Sequence, residues 1–366
     1  MQFHFEPETG WINDPNGLIF FRGQYHAFYQ YNPYEPKWGT MHWGHAVSED
    51  LLHWQTLPIA LTPDRPYENG GGCFSGSAVK KDGRLYLFYT ADSKELGQTQ
   101  CMAWSDDGVH FTKYEGNPIL KNYPPEGCRE FRDPKVLLWQ GNYYMVVGSK
   151  GVSKYRGHGE ERGRVLLYTS ADLLKWKYVG LLYECRDYDD TVECPDLFPL
   201  EDRFVLCYSM MHREGRAAVR YVPGDFDGRR FYPTCEISPE AGPQYYAPQS
   251  FAAADGRRLQ LAWTRSPRPE DETVHAGAFT IPRELYFRGD MVCMRPIREA
   301  QPYLKSESAC AERTEEGLRL LGGTGELRFD GPVEDLRILE DGKLREVFIN
   351  GGLRTFTWWV PENAEN

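Results

Sequence analysis

Asp14-Pro15-Asn16-Gly17-Leu18-Ile19-Phe20-Phe21, Arg22-Gly23, Gln24-Tyr25-His26-Ala27-Phe28-Tyr29: this stretch decides the fold. A polar and proline start leads into an apolar run, a two-residue turn and an aromatic-rich run, which together read as a β-hairpin. The same plan recurs around the turns Asp82-Gly83, Gln140-Gly141, Glu201-Asp202 and Asp255-Gly256. From Gly23 through Gly83, Gly141 and Asp202 to Gly256 the steps are 60, 58, 61 and 54 residues. A second element follows four of the hairpins. It is a polar turn ending on a ring: Ser48 to Trp54, Ser105 to Phe111, Ser170 to Trp176 and Gly224 to Phe231. Two strands from each hairpin and two around each polar turn make about four per repeat, the size of a propeller blade. The competing architecture is a β-sandwich with accidental spacing.

Composition narrows the function. The formal charge of −11 disfavours a polyanionic partner, so nucleic acid is not expected. No run of 18 or more apolar residues suggests a membrane span. Patterning begins by Trp11, which leaves little room for a leader peptide. Nine scattered cysteines fit neither a metal motif nor a disulfide framework, so reduced thiols and a cytoplasmic location are expected.

Blades of a propeller surround a channel, and equivalent residues fall at one height along it. Asp14 precedes its turn by 9 residues, Asp133 by 8, Glu193 by 9 and Ser75 by 8. Matching register is therefore expected to bring Asp14, Asp133 and Glu193 to one mouth of the channel. A carboxylate cluster without a metal motif suits glycoside hydrolysis, one acid attacking and another donating and accepting the proton. Like charges partly shielded from water raise at least one pKa. Calcium binding is the alternative use, but no EF-hand loop is present, and no cofactor or metal is expected.

Six motifs resemble those of glycoside hydrolase family 32, which includes invertases, levanases, inulinases and sucrose-6-phosphate hydrolases. They are Trp11-Ile12-Asn13-Asp14-Pro15-Asn16-Gly17, Trp43-Gly44-His45-Ala46-Val47-Ser48, Phe74-Ser75-Gly76-Ser77-Ala78-Val79, Phe131-Arg132-Asp133-Pro134, Glu193-Cys194-Pro195-Asp196 and Tyr246-Ala247-Pro248-Gln249. The resemblance implies a retaining β-fructofuranosidase with Asp14 as nucleophile, Glu193 as acid/base and Asp133 as transition-state stabiliser. It implies a fructose subsite built from Asn13, Gln30, Trp38, Phe74, Ser75, Arg132, Cys194 and Trp263. Arg132 beside Asp133 makes electrostatic sense, because a cation there favours the ionised carboxyl. The expected partner is a small sugar: sucrose, sucrose 6-phosphate or a short fructan. A fructosyltransferase, a pentosidase and a sugar-binding propeller without catalysis are the other readings. Val192, before Glu193, and Gln244, before Tyr245-Tyr246, depart from the residues the family often carries.

The propeller pattern ends near Arg295, which predicts a catalytic domain at 1–295 and a truncated β-sandwich-like module at 296–366. Residues 336–340, 344–349 and 355–360 read as strands of one small sheet. Such a sheet must cover its apolar face, on the propeller or on a second copy of the chain in a homo-oligomer. The expected fold class is thus all-β, a five-bladed propeller followed by a shortened C-terminal β-sheet domain.

Overall fold

The computed structural model describes residues 1–360 apart from 153–159, 186–189, 212–216, 268, 270, 271 and 322–326. The chain is all-β. Five successive antiparallel sheets are followed by two three-stranded sheets. The first strands of the five are Gly10–Phe21, Gly72–Lys81, Arg132–Trp139, Glu193–Leu200 and Tyr245–Ala252. Each pairs with the next strand through one of the expected hairpins. Three of the turns hold both central residues at positive φ: Arg22 (49°) and Gly23 (88°), Asp82 (50°) and Gly83 (78°), Gln140 (48°) and Gly141 (77°). That conformation matches the twist of the flanking strands, and glycine adopts it without steric cost.

The polar turns also form as expected. Ser48 Oγ accepts from Leu51 N at 2.8 Å, and Asp50 Oδ1 accepts from His53 N at 2.8 Å. Ser105 with Asp107 and Ser170 with Asp172 repeat the arrangement. The fifth sheet lacks this element. In its place the chain adds His275–Ala276 as a parallel strand beside Gly10 and Trp11 of the first sheet. This segment latches the fifth sheet to the first.

One polar layer ties the five first strands together. Asn16 Oδ1 accepts from Gly76 N at 3.2 Å. Ser77 Oγ donates to Pro134 O at 2.7 Å. Lys135 lies 3.3 Å from Asp196 and donates to Ser250 O at 2.7 Å. Asp196 Oδ2 accepts from Ser250 N, and Gln249 Oε1 accepts from Leu18 N at 3.3 Å. The links run from sheet one through two, three, four and five back to one, so the five sheets form a closed ring. All five side chains are buried, and each makes at least one hydrogen bond across a sheet boundary.

The C-terminal region departs from the expected single sheet. Strands Leu336–Asp341, Leu344–Ile349 and Arg354–Trp359 do form one sheet. A second sheet, Ala311–Arg313, Gly317–Leu320 and Leu327–Asp330, faces it across a core of Leu318, Leu320, Ile338, Val347, Phe356 and Trp358. These added strands have only three or four residues and carry Glu312, Arg313, Arg319 and Arg328, so sequence pattern reads them as loop. The other face of the first small sheet lies on the ring. Arg283 of the fifth sheet is fully buried between Glu346 Oε2 (2.6 Å) and Glu240 Oε2 (2.6 Å). His4 joins the same network, reaching Asp341 and Glu346 at 2.8 Å each. Among the described residues no helix is long and apolar enough to cross a membrane.

Candidate active site

Each first strand is irregular at the same place. Pairing to the second strand slips between Ile12 and Pro15, Phe74 and Gly76, Arg132 and Lys135, Glu193 and Asp196, and Tyr246 and Gln249. A bulge leaves its residue unpaired and re-aims the side chain. The residues at the slips are Asp14, Ser75, Asp133, Cys194 and Ala247. Proline or glycine follows every one of them. Asp133, Cys194 and Ala247 adopt φ of 65°, 48° and 47°, a left-handed conformation that neighbours must hold in place.

This alignment corrects the register read from the turns. Cys194, not Glu193, is equivalent to Asp14 and Asp133. Glu193 stands one residue earlier, in line with Asn13, Phe74, Arg132 and Tyr246. Convergence survives the correction, because a bulge lets neighbouring residues of one strand face the same space.

A cavity of about 430 Å³ opens at this end of the ring. Asn13, Asp14, Gln30, Trp38, Phe74, Ser75, Arg132, Asp133, Glu193 and Trp263 line it, which is every expected site residue except Cys194. Cys194 lies just beneath, its Sγ 3.4 Å from Asp14 Oδ2 and 3.6 Å from Asp133 Oδ2. Ser75 Oγ donates to Asp14 Oδ2 at 2.5 Å. The Cys194 amide donates to Asp133 Oδ2 at 2.8 Å. Glu193 is gripped from both sides. Arg132 Nη2 meets Oε1 at 3.1 Å, and the Tyr246 hydroxyl donates to Oε2 at 2.5 Å. Trp38 stays 57% exposed and meets Phe74 edge to face at 6.1 Å, so a large ring stands free at the rim.

Four residues of the wall lie outside the expected set: Trp11, Gln98, Met211 and Tyr246. Trp11 Nε1 donates to Asn13 Oδ1 at 2.8 Å and fixes that amide beside Asp14. Gln98 Oε1 accepts from Phe131 N at 2.8 Å and from Arg132 Nη1 at 3.3 Å. Tyr246 was within reach of sequence reading, since aligning the residue-proline pairs puts it level with Arg132 and Glu193. Met211 and Gln98 carry no such signal. Val192 is fully buried and bonds Ser149 O through its amide at 3.2 Å, so it acts on Glu193 through the backbone.

The electrostatics follow from crowding. Burial pushes the Asp14 carboxyl upward, and the Glu193 charge adds to this, against hydrogen bonds from Ser75, Asn13 and Cys194. Burial raises Asp133 to about 7, opposed by Arg132 and aided by the charges of Asp14 and Glu193. Burial opposes the Arg132 cation, but Glu193, Asp133 and Glu130 together outweigh it and keep the guanidinium charged. Asp133, crowded by Asp14 and Glu193 despite this guanidinium, therefore retains a proton close to neutrality. One proton donor and one carboxylate in the same cavity are what acid-assisted displacement at a sugar carbon requires.

Bulge-presented acids, a held proton and free aromatic edges at the mouth of a β-ring are the equipment of a glycoside hydrolase. The profile "Glycosyl hydrolases family 32 N-terminal domain" matches residues 4–296. The sucrose-6-phosphate hydrolase of Zymomonas mobilis is 37% identical over 366 aligned residues, covering 93% of this chain and 69% of that protein. Its namesake from Escherichia coli is 39% identical, covering 85% of this chain and 67% of that one. A β-fructofuranosidase structure from Bombyx mori superposes with a TM-score of 0.84 at 29% identity, over 99% of this chain and 89% of the other. The chain belongs to glycoside hydrolase family 32, as an enzyme of the β-fructofuranosidase type.

Proposed function

We propose that the ring is a five-bladed β-propeller spanning 1–295, followed by a reduced β-sandwich at 296–366, and that the enzyme is a retaining β-fructofuranosidase. It removes terminal β-fructosyl residues from sucrose, sucrose 6-phosphate or short fructans. The Asp14 carboxylate attacks C2 of the fructosyl unit while the C2–O bond to the leaving sugar breaks. Glu193 gives its proton to that oxygen. Glu193 then takes a proton from water, which attacks C2 and releases Asp14 from the ester. Asp133 binds fructose hydroxyls and stabilises the positive charge that builds on the ring. Asn13, Gln30, Trp38, Phe74, Ser75, Arg132 and Trp263 wall the fructose subsite, and Cys194 forms its floor.

One observation carries this reading. Asp14 is held at the floor by Ser75 and Cys194, and Glu193 at the wall by Arg132 and Tyr246, across one sugar-sized cavity. The nine unpaired cysteines support a reducing, cytoplasmic setting. Glu193→Ala provides the test. It is expected to lose about 10²- to 10⁴-fold on sucrose and much less on a fructoside with an activated leaving group. Azide then gives a fructosyl azide of retained configuration, and peptide mass spectrometry finds a fructosyl ester on Asp14. Full activity of Glu193→Ala on sucrose, or an inverted product, refutes the assignment.

A further inference from the structure

Arg132 in the cavity wall and Lys150 behind it are neutralised by acids. Arg132 contacts Glu193 and Glu130, both at 3.1 Å, and Lys150 lies between Glu130 (3.5 Å) and Glu161 (3.3 Å). Arg265 differs. It follows the strand Arg258–Thr264, whose Trp263 is part of the cavity wall. Its guanidinium carbon lies 5.8 Å from the Trp263 ring centroid and 5.9 Å from that of Tyr246. Its Nη1 is 3.7 Å from Met211 Sδ, a weak acceptor. All three of these residues line the cavity. Among the described residues, no carboxylate pairs with Arg265. Its backbone amide bonds the carbonyl of Gln244, a neutral residue, at 2.9 Å. Glu272, further along the chain, instead accepts from Ser266 Oγ at 3.0 Å.

The position of this cation is as informative as its lack of a partner. The proposed acid, Glu193, hydrogen-bonds the Tyr246 hydroxyl, and the Arg265 guanidinium lies 5.9 Å from the centroid of the same Tyr246 ring. An acid faces the oxygen that departs, so the leaving sugar lies toward the fourth and fifth sheets, where Arg265 stands. A phosphate on that sugar meets three carboxylates in a protein of net charge −11. It needs an uncommitted cation, and a guanidinium fork matches phosphate oxygens two at a time.

We propose that Arg265 is a specificity-determining residue that binds the phosphate of a phosphorylated leaving sugar, so that the enzyme prefers sucrose 6-phosphate to sucrose. This inference rests on the β-fructofuranosidase reading above and deepens it. The variant R265M keeps an apolar stem against Trp263, and R265K keeps the charge. The ratio of kcat/KM on sucrose 6-phosphate to that on sucrose is expected to fall about tenfold or more in R265M, with part regained in R265K. A ratio unmoved by R265M overturns the proposal, because damage to the fold lowers both rates together and leaves the ratio alone. Calorimetry separates the two levels of argument. Wild-type enzyme is expected to bind glucose 6-phosphate more tightly than glucose, and R265M to lose about tenfold of that affinity. Equal affinity for the two sugars, or no loss in R265M, overturns the role of Arg265. If wild-type enzyme cleaves neither disaccharide, the fructosidase reading fails, and the calorimetric comparison still decides Arg265.

Discussion

Two neighbouring layers of the ring share the same short motifs and have opposite fates. At the bulges stand Asp14, Ser75, Asp133, Cys194 and Ala247. Two residues further along the same strands stand Asn16, Ser77, Lys135, Asp196 and Gln249. In the inner layer, charge meets countercharge and the side chains reach across sheet boundaries. In the outer layer, Asp14 and Asp133 crowd together beside Glu193, and burial with neighbouring negative charge raises the pKa of both aspartates. A single motif such as Asp14-Pro15-Asn16-Gly17 thus does two jobs. Its aspartate faces the cavity from a bulge, and its asparagine helps to close the ring.

The contrast is sharpest for Asp14→Ala. Loss of the proposed nucleophile is expected to cost on the order of 10⁴-fold or more in kcat while thermal stability holds or rises, because a like charge is removed. A variant that keeps measurable wild-type turnover, or melts far earlier, erases the distinction between layers. Lys135→Met attacks the inner layer instead. Asp196 loses its cation in a buried site, and urea titration is expected to show a loss of about 3–5 kcal/mol.

Asp133→Asn sharpens the comparison through pH. The native carboxyl is raised from its usual value to about 7, so its ionisation weighs against folding progressively between pH 4 and 7. The penalty is absent below the unfolded pKa and complete above the folded one. The variant is expected to be more stable than wild type by about 2 kcal/mol or more at pH 8, and equal to it below pH 4. Denaturant midpoints across that range give the answer, and an advantage independent of pH refutes the electrostatic origin.

The smallest effect is expected at His4, outside both layers. Burial lowers its pKa, but hydrogen bonds and charge from Asp341 and Glu346 prevail and raise it overall. Its stabilising charge is present below the unfolded value near 6.5 and fades as pH rises through the folded value. Wild-type stability should therefore decline across that upper range, and His4→Gln should remove the slope.

Sequence carried much of this architecture because each sheet repeats a hairpin whose turn residues and strand formers are chemically required. It misjudged the level of Glu193 because turn-to-motif distances do not reveal a bulge, whereas the residue-proline step does. It passed over Gln98 and Met211 because neutral contacts are settled by cross-strand pairing, on which linear order is silent. The strand Gly317–Leu320 escaped for a related reason. Its pattern is too short to stand apart from turn, and it becomes a strand only against Leu327–Asp330.

The latch at His275–Ala276 has a mechanical meaning. Sheets one and five are the two ends of a wound ribbon, and this parallel pair with Gly10 and Trp11 is part of the clasp where the ribbon meets itself. Trp11 also forms part of the cavity wall and orients Asn13. Opening the seam would disturb the cavity wall through Trp11, so a ligand bound there is expected to slow exchange of the Gly10 amide, which donates to Val274 O at 2.8 Å.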